Sequence, residues 1–248
     1  MSKESKEEKD CVILAAGVAE GMIRSGGEAY RAEECCENIL KACGAENINV
    51  IALTTALIVN ADVDGVHRTE VISINERGTD LEGIERYNSI SRRVCTGSMT
   101  IKEAFAELKK KHRLAPWKVL LYSTLSSTMF TLVFGGSFKE LLPAFAAALV
   151  AQLFKIASDK ISNNGILSTM GACIIIAAMT RFFVWLFPSL NQEAIIVGGI
   201  IALLPGLAIT NALRDTLHGD ILSGLARGAE ALLIAIVIAA GVAIVLAI

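Results

Sequence analysis

The stretch Leu203–Glu230, LLPGLAITNALRDTLHGDILSGLARGAE, decides the reading of this chain. It places a Pro-Gly break, two helix-compatible runs and six ionisable groups between strongly apolar segments. Pro205 removes a backbone donor and Gly206 weakens the helix beside it. Asn211, Arg214, Asp215 and His218 then recur at i, i+3, i+4 and i+7, which places them on one helical face. Gly219 interrupts, after which Asp220, Ser223, Gly224 and Arg227 repeat the same spacing. Arg227 and Glu230 lie one turn apart, at a distance suited to pairing. Ionisable groups entering a membrane segment are costly and mark functional positions. Broken half-helices lined by polar groups are the pattern of a transporter's substrate or ion path. The competing reading is a cytoplasmic loop with an amphipathic surface, since His218-Gly219-Asp220 also reads as a turn.

The surroundings make a membrane setting the natural one. The chain has 248 residues, 53% of them apolar and 19% charged, with a mean hydropathy of +0.54. Residues 1–113 hold 16 Lys/Arg and 19 Asp/Glu, whereas residues 114–248 hold 7 and 6. This asymmetry excludes one soluble globule and a disordered chain. A net charge of −2 excludes a nucleic-acid binder that relies on a basic surface. The expected architecture is an α-helical integral membrane protein with an N-terminal cytoplasmic α+β domain, 1–113, and a five-helix transmembrane domain, 114–248.

Five segments approach the roughly 20 apolar residues that cross a bilayer. They are Trp117–Phe134, Phe138–Ala157, Ile166–Phe187, Ala194–Ile209 and Leu225–Ile248. Lys109, Lys110, Lys111, Arg113 and Lys118 precede the first. Lys155, Lys160 and Arg214 mark two later connections. The positive-inside rule then puts the N-terminus in the cytoplasm and Ile248 outside. Small residues recur every fourth position as Ala231, Ala235, Ala239, Ala243 and Ala247, and as Gly198, Ala202 and Gly206. Such stripes permit close helix packing, within one subunit or between subunits of a homo-oligomer. Arg181 in the third span either meets an anionic group or snorkels to the surface. Hydroxyls from Ser123 to Thr131 line the first span and can back-bond to carbonyls one turn earlier.

In residues 1–113, helices are expected over Cys11–Ile23, from Ser25 to Gly44, over Asp80–Cys95 and over Thr100–His112. Ser25 with Glu28 reads as a capping box, and the last of these helices begins at Ser98 or Thr100, with Glu103 following. Strands are expected at Asn49–Thr55, Ala56–Asp62 and Val66–Ile74, with Asp62-Val63-Asp64-Gly65 as a hairpin turn rather than a calcium loop. The start of the chain has no basic–apolar signal pattern, so this part is expected in the cytosol. The six cysteines form no C-x-x-C pair and are expected to be reduced, and no metal or cofactor site is read. The cluster of Glu28, Arg31, Glu33 and Glu34 suits either a solvated helix face or a catalytic patch. No Walker loop, G-x-S-x-G, G-x-G-x-x-G or H-E-x-x-H is present, which argues against an ATP-driven pump.

Three sets of residues together resemble the threonine/serine exporter family, in its N-terminal module. They are Ser25-Gly26 with Glu28, Arg77-Gly78 with Leu81, and the run from Pro205-Gly206 to Gly224-Leu225-Ala226-Arg227. The likeness extends from about Cys11 to Ile248, and the last run is its most specific part. It implies a subunit of a secondary, proton-gradient-driven exporter of small hydrophilic metabolites, with threonine and serine or a dicarboxylate such as succinate as members' substrates. In that family the module is fused to further spans or works with a small membrane partner, and the end at Ile248 points to a partner. On this expectation Asp215 and Asp220 couple to protons or substrate, Asn211, Ser223 and Arg227 orient the substrate, and Pro205 and Gly206 break the helix. The alternatives are a membrane-anchored cytoplasmic hydrolase using the Glu28/Arg31 region and a regulatory or scaffold membrane subunit that does not transport.

Overall fold

The computed structural model describes residues 3–75, 77–110, 115–161 and 165–247, with side chains from Cys11 onward. In chain order the elements are α1 (Lys3–Arg24), α2 (Ala29–Ala42), β1 (Glu46–Ala52), β2 (Ala56–Val63), β3 (Val66–Ser73), α3 (Leu81–Cys95) and α4 (Ile101–Leu108). There follow α5 (Pro116–Val133), α6 (Leu141–Ile161), α7 (Gly165–Leu186), α8 (Gln192–Ile200), α9 (Gly206–Leu217) and α10 (Ile221–Leu246). Short 3₁₀ turns occupy Phe138–Glu140 and Ile201–Leu203. Packing divides the chain into two compact units, and no single cut along the sequence separates them. The first unit holds Met1–His112 together with Leu207–Ala229, and the second holds Arg113–Gly206 and Glu230–Ile248. The sequence boundary expected at 113 and 114 lies outside the described residues.

The first unit is built around an antiparallel sheet of order β1-β2-β3. The central strand β2 alternates, burying Leu57, Val59, Ala61 and Val63, so one face of the sheet meets the helices and the other meets solvent. Those four side chains join Leu14, Val18 and Met22 of α1 and Ile39 and Leu40 of α2 in one core. Asp64 and Gly65 both have positive φ, 46° and 76°, the geometry of a two-residue hairpin turn whose twist matches the strands. Asp62 bonds to Asn47 and His67, in keeping with the turn reading. Asp80 caps α3 through the Gly83 N–H, and Thr100 with Glu103 forms the capping box of α4, which ends earlier than expected, at Leu108.

Two expectations are corrected in this unit. Ser25 does not cap α2: the N-cap is Glu28, and its side chain makes no capping bond. The cysteines are not all reduced, because Cys11 and Cys43 are joined in a disulfide. Cys11 lies on α1 and Cys43 ends α2, and the packing of these two helices brings together thiols 32 residues apart. A search for short cysteine spacings cannot detect such a pair.

In the second unit, α6, α7 and the later part of α10 share a core of Ala151, Ala172, Cys173, Ile176 and Ile238, with Leu203 beside them. Among the described residues, Phe138–Ile161, Gly165–Leu186 and Ile221–Leu246 are long and apolar enough to cross a membrane. A fourth span results if Gln192–Leu203 and Gly206–Leu217 count as one broken span. The protein is therefore a mostly helical membrane protein with three to four candidate spans, where five were expected. The expected first span does form a helix, α5, but its run of Ser and Thr lowers its hydropathy. That helix buries Thr124, Ser127, Thr128 and Thr131 and exposes Trp117, Tyr122, Met129 and Val133, the reverse of a soluble helix. Thr128 and Thr131 donate to carbonyls one turn back, and Ser127 donates to the Gly199 carbonyl. The helix α8 and its 3₁₀ extension end at Leu204, which takes extended backbone before Pro205.

The small-residue stripes are only partly used. Gly198 sits directly on Thr131, whereas Gly206 meets nothing within 4 Å. Along α10 the buried positions are Ser223, Gly224, Arg227, Ala231, Ile238 and Gly241, while Ala239 and Ala243 are exposed. Of the alanine stripe read from the sequence, Ala231 is buried and Ala235 half-buried, and the later alanines are exposed.

Candidate functional site

The site grows from the turn between α1 and α2. Gly26 there has φ +84°, and a Cβ on it would lie 2.6 Å from the Gly78 carbonyl oxygen, so the turn admits only glycine at this point. The Gly78 N–H donates to the Arg24 carbonyl and the Asp80 N–H to the Ser25 carbonyl, each at 2.9 Å. The short motifs Ser25-Gly26 and Arg77-Gly78 therefore meet through main-chain bonds and close packing. This leaves α2 beginning at Ala29 without a local side-chain cap.

The cap comes from α9. Asp215 Oδ1 accepts the Ala29 N–H at 2.9 Å, which sets a carboxylate against the positive end of α2. One turn earlier, Asn211 donates to the Gly26 carbonyl at 2.7 Å. Arg214 pairs with Glu28 at 2.7 Å, with Arg31 on the far oxygen of that carboxylate at 3.7 Å. His218 completes the face by stacking on Tyr30, their ring centroids 3.9 Å apart. The helical face read from the sequence thus docks, residue by residue, on the α1–α2 turn.

The start of α10 adds the second row. Arg227 donates to the Gly27 carbonyl and pairs with Asp215 through Nε, 3.1 Å from Oδ2. The Arg227 side chain is 9% exposed and that of Asp215 fully buried. Ser223 donates to the carbonyl of Ala52 at the end of β1, and the Ala52 N–H donates to Glu33. Gly224 lets α10 touch α9: a Cβ on it would lie 2.1 Å from Thr216 Oγ1 and 2.8 Å from the Ala212 carbonyl oxygen. Between the helices Gly219, at φ +98°, ends α9, with its N–H on the Thr216 carbonyl and the Asp220 N–H on the Asp215 carbonyl. This is the glycine-based helix terminus in which two late carbonyls are satisfied together. Oδ2 of Asp220 is buried and has no hydrogen-bond partner among the described residues.

Burial pushes the Glu28 carboxyl up, but its own backbone N–H, the Arg214 hydrogen bond and the charges of Arg31 and Arg214 outweigh this and hold it below the ordinary range. Burial pushes Glu33 up; the Ala52 N–H opposes this, and the charges of Asp220, Glu37 and Asp215 add to it. The two have opposite consequences. The stability from ionised Glu28 is complete above the ordinary glutamate value of about 4.3 and is lost as pH falls through its lower folded value. Ionised Glu33 costs stability, and that cost grows as pH rises above about 4.3. Glu28→Gln is accordingly expected to flatten the loss of thermal stability as pH falls from about 5 to about 3. A melting series over that range checks this, and an unchanged slope counts against the pair.

The structure brings together Ser25, Gly26, Glu28, Arg31 and Gly78 with Asn211, Arg214, Asp215, Gly219, Asp220, Ser223, Gly224 and Arg227, all in the first unit. Arg77 precedes Gly78 on the same segment. Pro205, Gly206, Glu230 and Arg181 belong to the second unit. There Arg181 donates to the Val245 carbonyl at 3.4 Å. Ala52 and Tyr30 carry no sequence signal for the site, and Glu33 carries only its place in the cluster with Glu28, Arg31 and Glu34. The wholly buried Glu140 of the second unit was also missed. It accepts the N–H groups of Ser137 and Asn191 at 2.8 and 2.9 Å, and its Ser-x-x-Glu spacing could have revealed it. Among the described residues no group of three or more His, Cys, Asp or Glu is placed to hold a metal.

A family model described as "Putative threonine/serine exporter" matches residues 13–248. A "Probable succinate transporter subunit" of Klebsiella aerogenes is 23% identical over 251 residues, covering 98% of this chain and 95% of that protein. A "Probable threonine/serine exporter" of Mycobacterium tuberculosis is 22% identical over 238 residues, covering 93% of this chain but 45% of that protein. The chain thus spans less than half the length of the second relative. No solved structure matches the chain.

Proposed function

We propose a specific role from the family match: this chain belongs to the threonine/serine exporter family, and it works as one subunit of a secondary exporter. Its cargo is a small hydrophilic metabolite, threonine or serine or a dicarboxylate such as succinate, in line with the names of its relatives. A second membrane subunit completes the pathway. The N-terminal 113 residues face the cytoplasm, and Ile248 lies outside, as the distribution of basic residues favours.

The observation that carries the mechanism is the pair of carboxylates at the ends of the α9–α10 turn. Asp215 is fully buried, with the Ala29 N–H on Oδ1 and the Arg227 charge beside Oδ2, whereas the buried Oδ2 of Asp220 has neither a hydrogen-bond partner nor an ion pair within 4 Å among the described residues. A desolvated carboxyl without a donor favours its protonated form. Asp220 therefore carries the exchangeable proton, and Asp215 with Arg227 is the charge pair that senses it. Asn211, Ser223 and Arg227 tie that pair to the α1–α2 turn and to β1. Protonation at this turn shifts the α9–α10 segment and so gates export.

Efflux from metabolite-loaded cells expressing this chain with its partner subunit tests the mechanism. Asp220→Asn is expected to cut the proton-gradient-dependent rate about tenfold or more at unchanged membrane abundance. An unchanged rate with unchanged pH dependence removes Asp220 from the mechanism. Equal efflux of threonine, serine and succinate by cells with and without the chain would remove the transport role itself.

A further inference from the structure

A cavity of about 390 Å³ opens between α2 and α3, inside the first unit, and shares Arg31 with the network around Glu28. Its size falls in the range of small-molecule sites. Its lining is half polar and half apolar and carries more positive than negative charge: Arg31 and Arg92 against Glu34, with Asn38, Asn88 and Ser91 also present. Its floor is fixed. Ser91 is buried and donates to the Cys35 carbonyl, and the Cys35 thiol contacts the Asn88 side chain. Guanidinium groups match carboxylates in geometry and charge, and amides and hydroxyls match the hydroxyl or second carboxyl of a small metabolite.

We propose that this cavity is a binding site for a small organic carboxylate, with Arg92 and Arg31 taking the carboxylate and Asn38 and Asn88 its polar substituents. Glu34 gives the site a choice. An α-amino acid places its ammonium against Glu34, while a dicarboxylate does not use it. The site stands independently of proton coupling at Asp220, so a failed efflux experiment leaves it intact.

Cys95 supplies the readout. It lines the same cavity and is exposed, whereas the other free cysteines among the described residues, Cys35, Cys36 and Cys173, are buried. Burial pushes the Cys36 thiol up to about 12, so a maleimide reagent at neutral pH selects Cys95. Alkylation of the full chain in detergent micelles is followed with succinate, L-serine, inorganic phosphate or no addition. Succinate or L-serine is expected to slow labelling at least fivefold in a saturable way. Arg92→Gln, at an exposed position, is expected to raise the half-protecting concentration about tenfold. Glu34→Gln is expected to weaken L-serine and spare succinate if the occupant is an amino acid, and to leave both unchanged if it is a dicarboxylate. Absence of protection by both carboxylates overturns the proposal. So does protection unaffected by Arg92→Gln, or equal protection by inorganic phosphate.

Discussion

Replacing Arg227 by alanine is expected to destabilise the first unit by about 3–5 kcal/mol, the range for removing one partner of a buried ion pair. The size follows from what is left behind. Asp215, with no exposed side-chain surface, loses its countercharge, and the Gly27 carbonyl loses the guanidinium it accepts from. Asp215 then keeps the Ala29 N–H as its remaining named bond, which is too little to offset desolvation of a full charge. Arg227→Lys retains the charge but not the planar fork that reaches both Asp215 and Gly27, and an intermediate loss is expected. Thermal unfolding or protease resistance of the solubilised chain measures both variants. A double-mutant cycle with Asp215→Asn isolates the pair from the rest of the network. Arg227→Ala melting with the wild type would sink the assignment of this pair as a stabilising tie.

The second large effect belongs to the second unit. Gly198→Val is expected to cost about 3 kcal/mol, at the upper end for overpacking a close contact. The first added carbon would lie 2.4 Å from Thr131 Oγ1, 2.6 Å from its backbone N and 2.7 Å from its Cα. Two of those atoms are main chain, so a change of rotamer cannot relieve the clash, and α5 must move away from α8. That shift also breaks the bond from Ser127 to the Gly199 carbonyl. Gly206→Ala is the matched control: it meets nothing within 4 Å and is expected to change stability by less than about 1 kcal/mol. Equal melting temperatures for the two variants would mean that α5 and α8 do not approach as described.

These two sites show what a sequence can convey. The i, i+3, i+4, i+7 spacing correctly groups Asn211, Arg214, Asp215 and His218 on one face, because helical periodicity is local. It does not say what the face meets. The bond from Ala29 to Asp215 joins residues 186 positions apart, and no propensity or periodicity encodes such a partner. The same limit explains α2. Ser25 and Glu28 have the right spacing for a capping box, but the cap was supplied from α9, and Glu28 was drawn to Arg214 instead. In the second unit the hydroxyls of α5 are legible as polar, but hydropathy alone does not show that Thr124, Ser127, Thr128 and Thr131 face inward while Ser126 does not. Gly198 and Gly206 read as equivalents in one stripe, though only Gly198 has a neighbour close enough to need it. The Pro205 break and the Asp64-Gly65 turn were legible because both are set by the backbone chemistry of one or two residues.

The capping of α2 by Asp215 has a consequence for how the protein is made. Residues 1–112 leave the ribosome first, but the segment that completes their packing, Leu207–Ala229, follows after the helices from α5 to α8. At about 5–20 residues per second, the early portion waits roughly 6–23 s with the start of α2 uncapped and the carbonyls of Gly26, Gly27 and Ala52 exposed to water. The first unit is therefore a late product of synthesis, closed only after the intervening helices have been translated. A fragment cut at residue 113 stays permanently at that waiting stage, whatever its solubility.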